Sequence, residues 1–214
     1  IDQQITKLKK ALEEVRKTRS THRTSRAKVP LPIVALVGYT NAGKSTLFNA
    51  LTDSKVLAKD MVFATLDPRV KRLDLPSGKA CLLADTVGFI SDLPTELIEA
   101  FHATLEEVET AALILHVRDV SGRDSEAQKE DVLQTLDKLL EHENYHERLI
   151  EVGNKVDLLE EGTLIKTEMT VPVSAVTGKG LDDLIVSIDA YFGKDDLVLE
   201  LEFDSGDGKF QSQI

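Results

Sequence analysis

Eight consecutive residues, Gly38-Tyr39-Thr40-Asn41-Ala42-Gly43-Lys44-Ser45, fit the pattern G-x-x-x-x-G-K-[ST] in full. Their types and spacing suit one task, the enclosure of phosphate. Glycines let main-chain N–H groups curl around phosphate oxygens. The N-terminus of a following helix adds positive potential at the same place. Lys44 has the reach for the two outer phosphates of a triphosphate, and the Ser45 hydroxyl is a hard oxygen for Mg²⁺. Main-chain amides from Gly38 to Thr46 would line the cradle. So short a pattern also arises by chance. Here an apolar run precedes it and helical sequence follows, which is the context the chemistry needs.

That loop holds phosphate under either purine, so the base must be read elsewhere. Asn154-Lys155-Val156-Asp157 follows an apolar run about 110 residues later, where a loop at a strand's carboxyl end meets a ligand. The Asp157 carboxylate can accept two hydrogen bonds from the N1–H and N2–H₂ edge of guanine. Adenine offers neither donor, so the acceptor would go unpaired. The Asn154 amide and the Lys155 stem fix the loop and flank the ring, and Ser174-Ala175 follows as a second base-side segment. Two further pieces belong to the phosphate end. Asp85-Thr86-Val87-Gly88 closes another apolar run: Asp85 is placed to hold Mg²⁺, directly or through water, and the Gly88 N–H to sense the γ-phosphate. Thr65, within Phe63-Ala64-Thr65-Leu66-Asp67, falls between the phosphate loop and that run. Its hydroxyl and carbonyl can close over Mg²⁺ and the γ-phosphate, as an ordered switch segment does.

Other chemistry-bearing residues have plainer readings. His142 and His146 are four apart with no third ligand evident, which suits a solvated helix end better than a metal. His102 and His116 fall inside a helix and a strand, where packing is the default. Cys81 is the single cysteine, so no internal disulfide exists; it sits in an apolar run as a small core residue. A reducing compartment fits.

The elements that position these groups alternate. Short apolar runs at 33–37, 80–84, 112–117, 148–152 and 170–173, with an alternating stretch at 70–75, read as strands. Helical periodicity marks 46–51, 95–110, 124–141 and 181–191. Strands alternating with helices predict a three-layer α/β fold whose six-stranded sheet is mostly parallel. A heptad stripe, Ile1, Ile5, Leu8, Leu12 and Val15, predicts an N-terminal helix that needs a partner helix. Residues 197–203 read as one further strand. The expected organisation is a helical arm and tether at 1–28, a nucleotide domain at 29–193 and the start of a C-terminal element, partly disordered, at 194–214. The first residue is Ile1, which suggests a piece of a longer chain.

Charge divides along the same lines. The 214 residues carry a net charge of −11, yet residues 1–28 hold nine Lys or Arg against three Asp or Glu. A basic arm on an acidic body is where nucleic-acid contact would begin; a solvated basic helix is the equal alternative. Aromatic residues are 5% of the chain with no Trp, which argues against base stacking on aromatic platforms. No run of about 18 apolar residues exists, so no membrane helix and no membrane partner are expected.

Taken in order, these segments resemble the translation-factor-related P-loop GTPases, and most closely the HflX-type GTP-binding proteins. The resembling residues are 37–47 around the phosphate loop, 63–68 (Phe-Ala-Thr-Leu-Asp-Pro), 84–90 (Ala-Asp-Thr-Val-Gly-Phe-Ile), Leu93-Pro94 and 101–106. Residues 115–121 look more like the eukaryotic, organelle-associated branch. The resemblance implies GTP and GDP as ligands, hydrolysis stimulated by the ribosome, and binding to the rRNA and protein of the large subunit, with splitting or rescue of stalled ribosomes. It also implies that residues 1–17 end a helical hairpin, and it places the work in the cytoplasm or the mitochondrial matrix. Hydrolysis would rest on Lys44, Thr65, Gly88 and Asn41. In Ras-like enzymes a Gln after D-x-x-G orients the attacking water. Phe89 stands there and has no polar group, so slow intrinsic turnover is expected. Asn41 resembles a residue that ligates K⁺ in several related GTPases; its plain alternative is a bond within the loop. Two other readings stay open: a nucleotide-gated scaffold with negligible turnover, and an ATPase.

Overall fold

The computed structural model describes residues 31–52, 69–86, 108–140, 144–160 and 170–194. Strand β1, Ile33–Val37, has four of its five side chains buried. A run apolar on both faces belongs in the middle of a sheet covered on both sides. Strands β3 (Ala80–Asp85) and β4 (Leu113–Asp119) flank it, both parallel. The six strands stand in the order β2-β3-β1-β4-β5-β6, with β5 at Leu149–Asn154 and β6 at Thr170–Pro172. Only β2, Arg69–Asp74, runs against its neighbour. The turn joining it to β3 is too short for a crossover, and Gly78 at φ +83 closes it with an N–H···O bond of 3.0 Å to Leu75.

The period of two along β1 sorts the core. Val34 and Leu36 face Leu47, Phe48 and Leu51 of helix α1 (Lys44–Leu51) and Leu184 and Ile188 of α3 (Leu181–Phe192). Ala35 and Val37 face Val132 and Leu136 of α2 (Ser125–Leu139), together with Val108. Each fully buried aliphatic side chain contributes roughly 1.5–3 kcal/mol. This is the expected three-layer architecture, a P-loop GTPase fold with a mostly parallel six-stranded sheet. The N-terminal helix, most of the helix at 95–110 and the strand at 197–203 lie outside the described residues.

One boundary differs in a way that matters. The apolar run predicts a strand ending at Val117, but β4 continues through Arg118 and Asp119, which pair with Gly153 and Asn154 of β5. The charge disguises the strand. Arg118 is 6% exposed and is neutralised by Glu151 from β5 and Glu126 from α2, while Lys129 bonds the other Glu151 oxygen at 2.5 Å. A buried charge survives where partners surround it.

Gly38, just after β1, carries a tight steric constraint at this end of the sheet. Its φ is +150, and a Cβ there would stand 2.1 Å from the Val117 carbonyl oxygen, main chain that the β4–β5 pairing holds. Gly38→Ala is expected to lower unfolding free energy by about 3 kcal/mol, read as a lower urea midpoint. An unchanged midpoint would show that the strands separate freely there.

Candidate nucleotide-binding site

Parallel strands bring their carboxyl ends to one edge, so the loops after β1, β3, β5 and β6 gather there. The loop after β1 turns into α1 with Asn41 at φ +62 and Gly43 at φ +94. Lys44 opens the helix and is 6% exposed. Its Nζ donates to the carbonyls of Gly38 at 2.9 Å and Tyr39 at 2.8 Å, so the ammonium arches over its own loop. Burial lowers its pKa to about 8, although Asp85 pulls the other way.

Ser45 Oγ donates to Asp85 Oδ2 at 2.8 Å. Asp85 ends β3, is fully buried, and pairs in register with Leu36. A hydroxyl and a carboxylate oxygen side by side, next to the phosphate loop, are the donor set of a Mg²⁺ that keeps waters and takes its other oxygens from phosphate. The residues fit that ion. The next residue, Thr86, is buried and donates to the Leu36 carbonyl at 2.5 Å, fixing the chain as it leaves β3.

Asn154 ties the two ends of the site together. It is 2% exposed at the close of β5. Its Nδ2 donates to the Ala42 carbonyl at 2.9 Å, and its Oδ1 accepts from the Ala175 N–H at 3.0 Å. One amide therefore holds the phosphate loop, the base-side loop and the segment after β6. Gly43 is where the amide passes: a Cβ on it would stand 2.3 Å from Asn154 Nδ2. Lys155 follows at φ +68, its Nζ 2.7 Å from Asp119 Oδ2. Asp157 lies exposed in a short 3-10 turn, Val156–Leu158, which the Val156 N–H docks onto the Val173 carbonyl at 3.2 Å. Ser174 is fully buried, and its hydroxyl accepts from the Thr177 N–H at 3.1 Å.

The structure thus brings together Gly38 to Thr46, Asp85, Asn154, Lys155, Asp157, Ser174 and Ala175. Phe63, Ala64, Thr65, Gly88 and Phe89 lie outside the described residues. His116 is packed, 1% exposed, and burial pushes its pKa down to about 4, so it stays neutral. Cys81 is buried, and burial lifts its thiol to about 12, which fits an unreactive core residue. His142 is outside the described residues, and among those described no cluster of three or more His, Cys, Asp or Glu forms. Sequence reasoning missed Asp119 and the Arg118–Glu151–Lys129 group. The available signal was Glu151 inside the apolar run of β5 and Arg118 directly after that of β4.

The sheet order, the phosphate loop between β1 and α1, and the N-K-x-D loop after β5 define a P-loop protein of the GTPase class. Residues 33–155 match the family described as 50S ribosome-binding GTPase, and the chain belongs to that family. It is 47% identical over 218 residues to GTPase HflX of Magnetococcus marinus, covering 100% of this chain and 50% of that protein. It is 42% identical over 191 residues to GTPase HflX of Escherichia coli, covering 86% and 44% respectively. These bear out the HflX-type resemblance. The chain spans about half the length of these relatives. Among solved structures it is similar to Era in complex with MgGDPNP and nucleotides 1506–1542 of 16S ribosomal RNA, with a TM-score of 0.60, 25% identity, and coverage of 83% of this chain and 60% of that one. No helix among the described residues is long and apolar enough to cross a membrane.

Proposed function

We propose that this chain binds GTP, hydrolyses it to GDP and phosphate, and serves as the switch of a protein that works on the large ribosomal subunit in splitting or rescue. The observation that carries the reading is the Asn154 amide, which joins a phosphate loop to an N-K-x-D loop within hydrogen-bond distance. A triphosphate cradle is thereby held rigidly beside a guanine-reading carboxylate.

Each residue then has a task. Amides of Gly38 to Thr46 enclose the α- and β-phosphates. Lys44 leaves its own loop carbonyls for the β- and γ-oxygens, exchanging two carbonyl acceptors for charged ones. Ser45 and Asp85 would hold Mg²⁺, with Thr65 as a third ligand, and the Gly88 N–H would meet the γ-phosphate. Bound Mg²⁺ would supply positive charge that neutralises the phosphates. Asp157 accepts the guanine edge, and Ala175 and Ser174 close the base side. Phe89 orients no water, so intrinsic turnover is slow. Asn41, with its left-handed backbone turned out at the loop crest, is the ligand we assign to K⁺. Residues 1–28 form the helical arm and basic tether, packed on a partner helix and touching rRNA, 29–193 the nucleotide domain, and 194–214 the start of a C-terminal element. The site of action is a ribosome-containing compartment, the cytoplasm or the mitochondrial matrix.

The test is single-turnover hydrolysis of GTP with and without large subunits, in potassium and in sodium buffer. We expect stimulation by subunits of at least about tenfold, greater in potassium. Tight GTP binding with no stimulation would identify a nucleotide-gated scaffold instead. Equal rates in the two salts would remove K⁺ from Asn41.

A further inference from the structure

The base-side loop begins on a strained residue. Lys155 sits at φ +68, a region that side chains with a β-carbon disfavour. Buried Asn154 precedes it and the 3-10 turn follows, so both of its flanks are held. That backbone directs the four-carbon stem toward the end of β4. There the ammonium meets Asp119 Oδ2 at 2.7 Å.

Asp119 is a fixed post, unlike a free surface carboxylate. Its Oδ1 accepts from the Ser121 N–H at 3.0 Å and from the Ser121 hydroxyl at 2.6 Å. Its main chain pairs with Asn154 across the sheet, and the Val120 N–H donates to the Asn154 carbonyl at 3.1 Å. Side-chain exposure is 24% for Lys155 and 21% for Asp119. A pair this enclosed, with one partner immobilised, escapes the solvent screening that makes most surface ion pairs weak. Burial alone would raise the Asp119 carboxyl, but the bonds from Lys155 and Ser121 outweigh it and hold it below the usual range, so it stays charged at neutral pH.

We propose that Asp119 is a positioning residue for the purine: it holds the Lys155 stem in place as one wall of the base pocket before nucleotide arrives. A lysine stem left to itself has many rotamers, and binding against a loose stem would have to order them. Anchored at both ends, by the strained backbone and by Asp119, the stem offers the base a ready surface. The proposal rests on the reading of residues 154–157 as the guanine site.

A double-mutant cycle on the 214-residue chain tests it, reading the release rate of a fluorescent GDP analogue. The variants are Asp119→Asn, Lys155→Met and both together. Methionine keeps an apolar stem without the charge. Asp119→Asn is expected to speed GDP release about tenfold in the unaltered background and less than about twofold beside Lys155→Met. Ser121→Ala removes the hydroxyl bond to Asp119 Oδ1 but leaves the Ser121 N–H bond and the Lys155 contact, and should speed release clearly less than Asp119→Asn does. An equal acceleration by Asp119→Asn in both backgrounds would make Asp119 a turn former only and overturn the proposal. So would a Ser121→Ala variant that releases GDP as fast as Asp119→Asn. Failure of the unaltered chain to bind GDP at all overturns the guanine reading and this proposal together; GDP binding with an additive cycle overturns this proposal alone.

Discussion

Asp157→Asn is expected to weaken GTP and GDP binding by about a thousandfold and to create affinity for xanthosine nucleotides. On the proposed reading the carboxylate accepts two bonds from guanine, each worth about 1.5–3 kcal/mol because it is charged. The asparagine oxygen keeps only a weaker neutral bond to N1–H, so one charged bond is lost and the other weakened, roughly three decades in affinity with the repulsive contact. An asparagine amide would set its own N–H₂ against the guanine N2–H₂, adding a repulsive contact. Xanthine carries a carbonyl where guanine has that amine, and the amide can donate to it. The swap thus exchanges an acceptor pair for a donor and an acceptor, as recognition by paired polar groups demands. Asp157 is exposed on its turn, and its neighbours are held by Asn154 and Val173, so the variant should keep its melting temperature. Calorimetric titration with GDP and xanthosine diphosphate reads both halves of the prediction. An unchanged GDP affinity would move the base-reading role to another residue.

The second large effect belongs to Lys44. Lys44→Ala should cost GTP affinity about a hundredfold or more, because in the proposed site the ammonium would make charge-assisted bonds to two phosphate oxygens. The same residue sets a pH dependence. Burial brings its pKa down to about 8, and polyphosphate bound against it raises that value again. Below about pH 8 the amine is already charged and affinity is flat. Above it the nucleotide-free chain has lost the proton that the complex needs, so each further pH unit weakens binding by up to about tenfold. Binding at pH 9 should therefore take up a proton, which calorimetry in two buffers of different ionisation enthalpy measures. The Lys44→Ala chain should take up none. Proton uptake that persisted in that variant would assign the titration to another group.

Much of the site was legible because phosphate and guanine recognition is done by short, contiguous segments. A loop that wraps phosphate needs its glycines and lysine at set intervals, and a strand before it and a helix after it leave plain periodic traces. The buried strands of a parallel sheet are equally visible, since both of their faces are apolar. Where charge entered a strand the trace failed. Arg118 and Asp119 read as loop residues, yet they continue β4, because Glu151 and Lys155 from the neighbouring strand and its loop satisfy them.

By itself, the order of residues determined the phosphate-loop motif, the N-K-x-D motif and the α/β alternation, because each depends on groups near one another in the chain or on periods of two and 3.6. Which segments meet is another matter. The Asn154 bridge to Ala42 and Ala175, the Ser45–Asp85 bond and the Asp119–Lys155 pair join positions tens of residues or more apart. Only the strand order and register of the folded sheet decide those contacts, since hydrogen bonds form across space and leave no interval in the sequence.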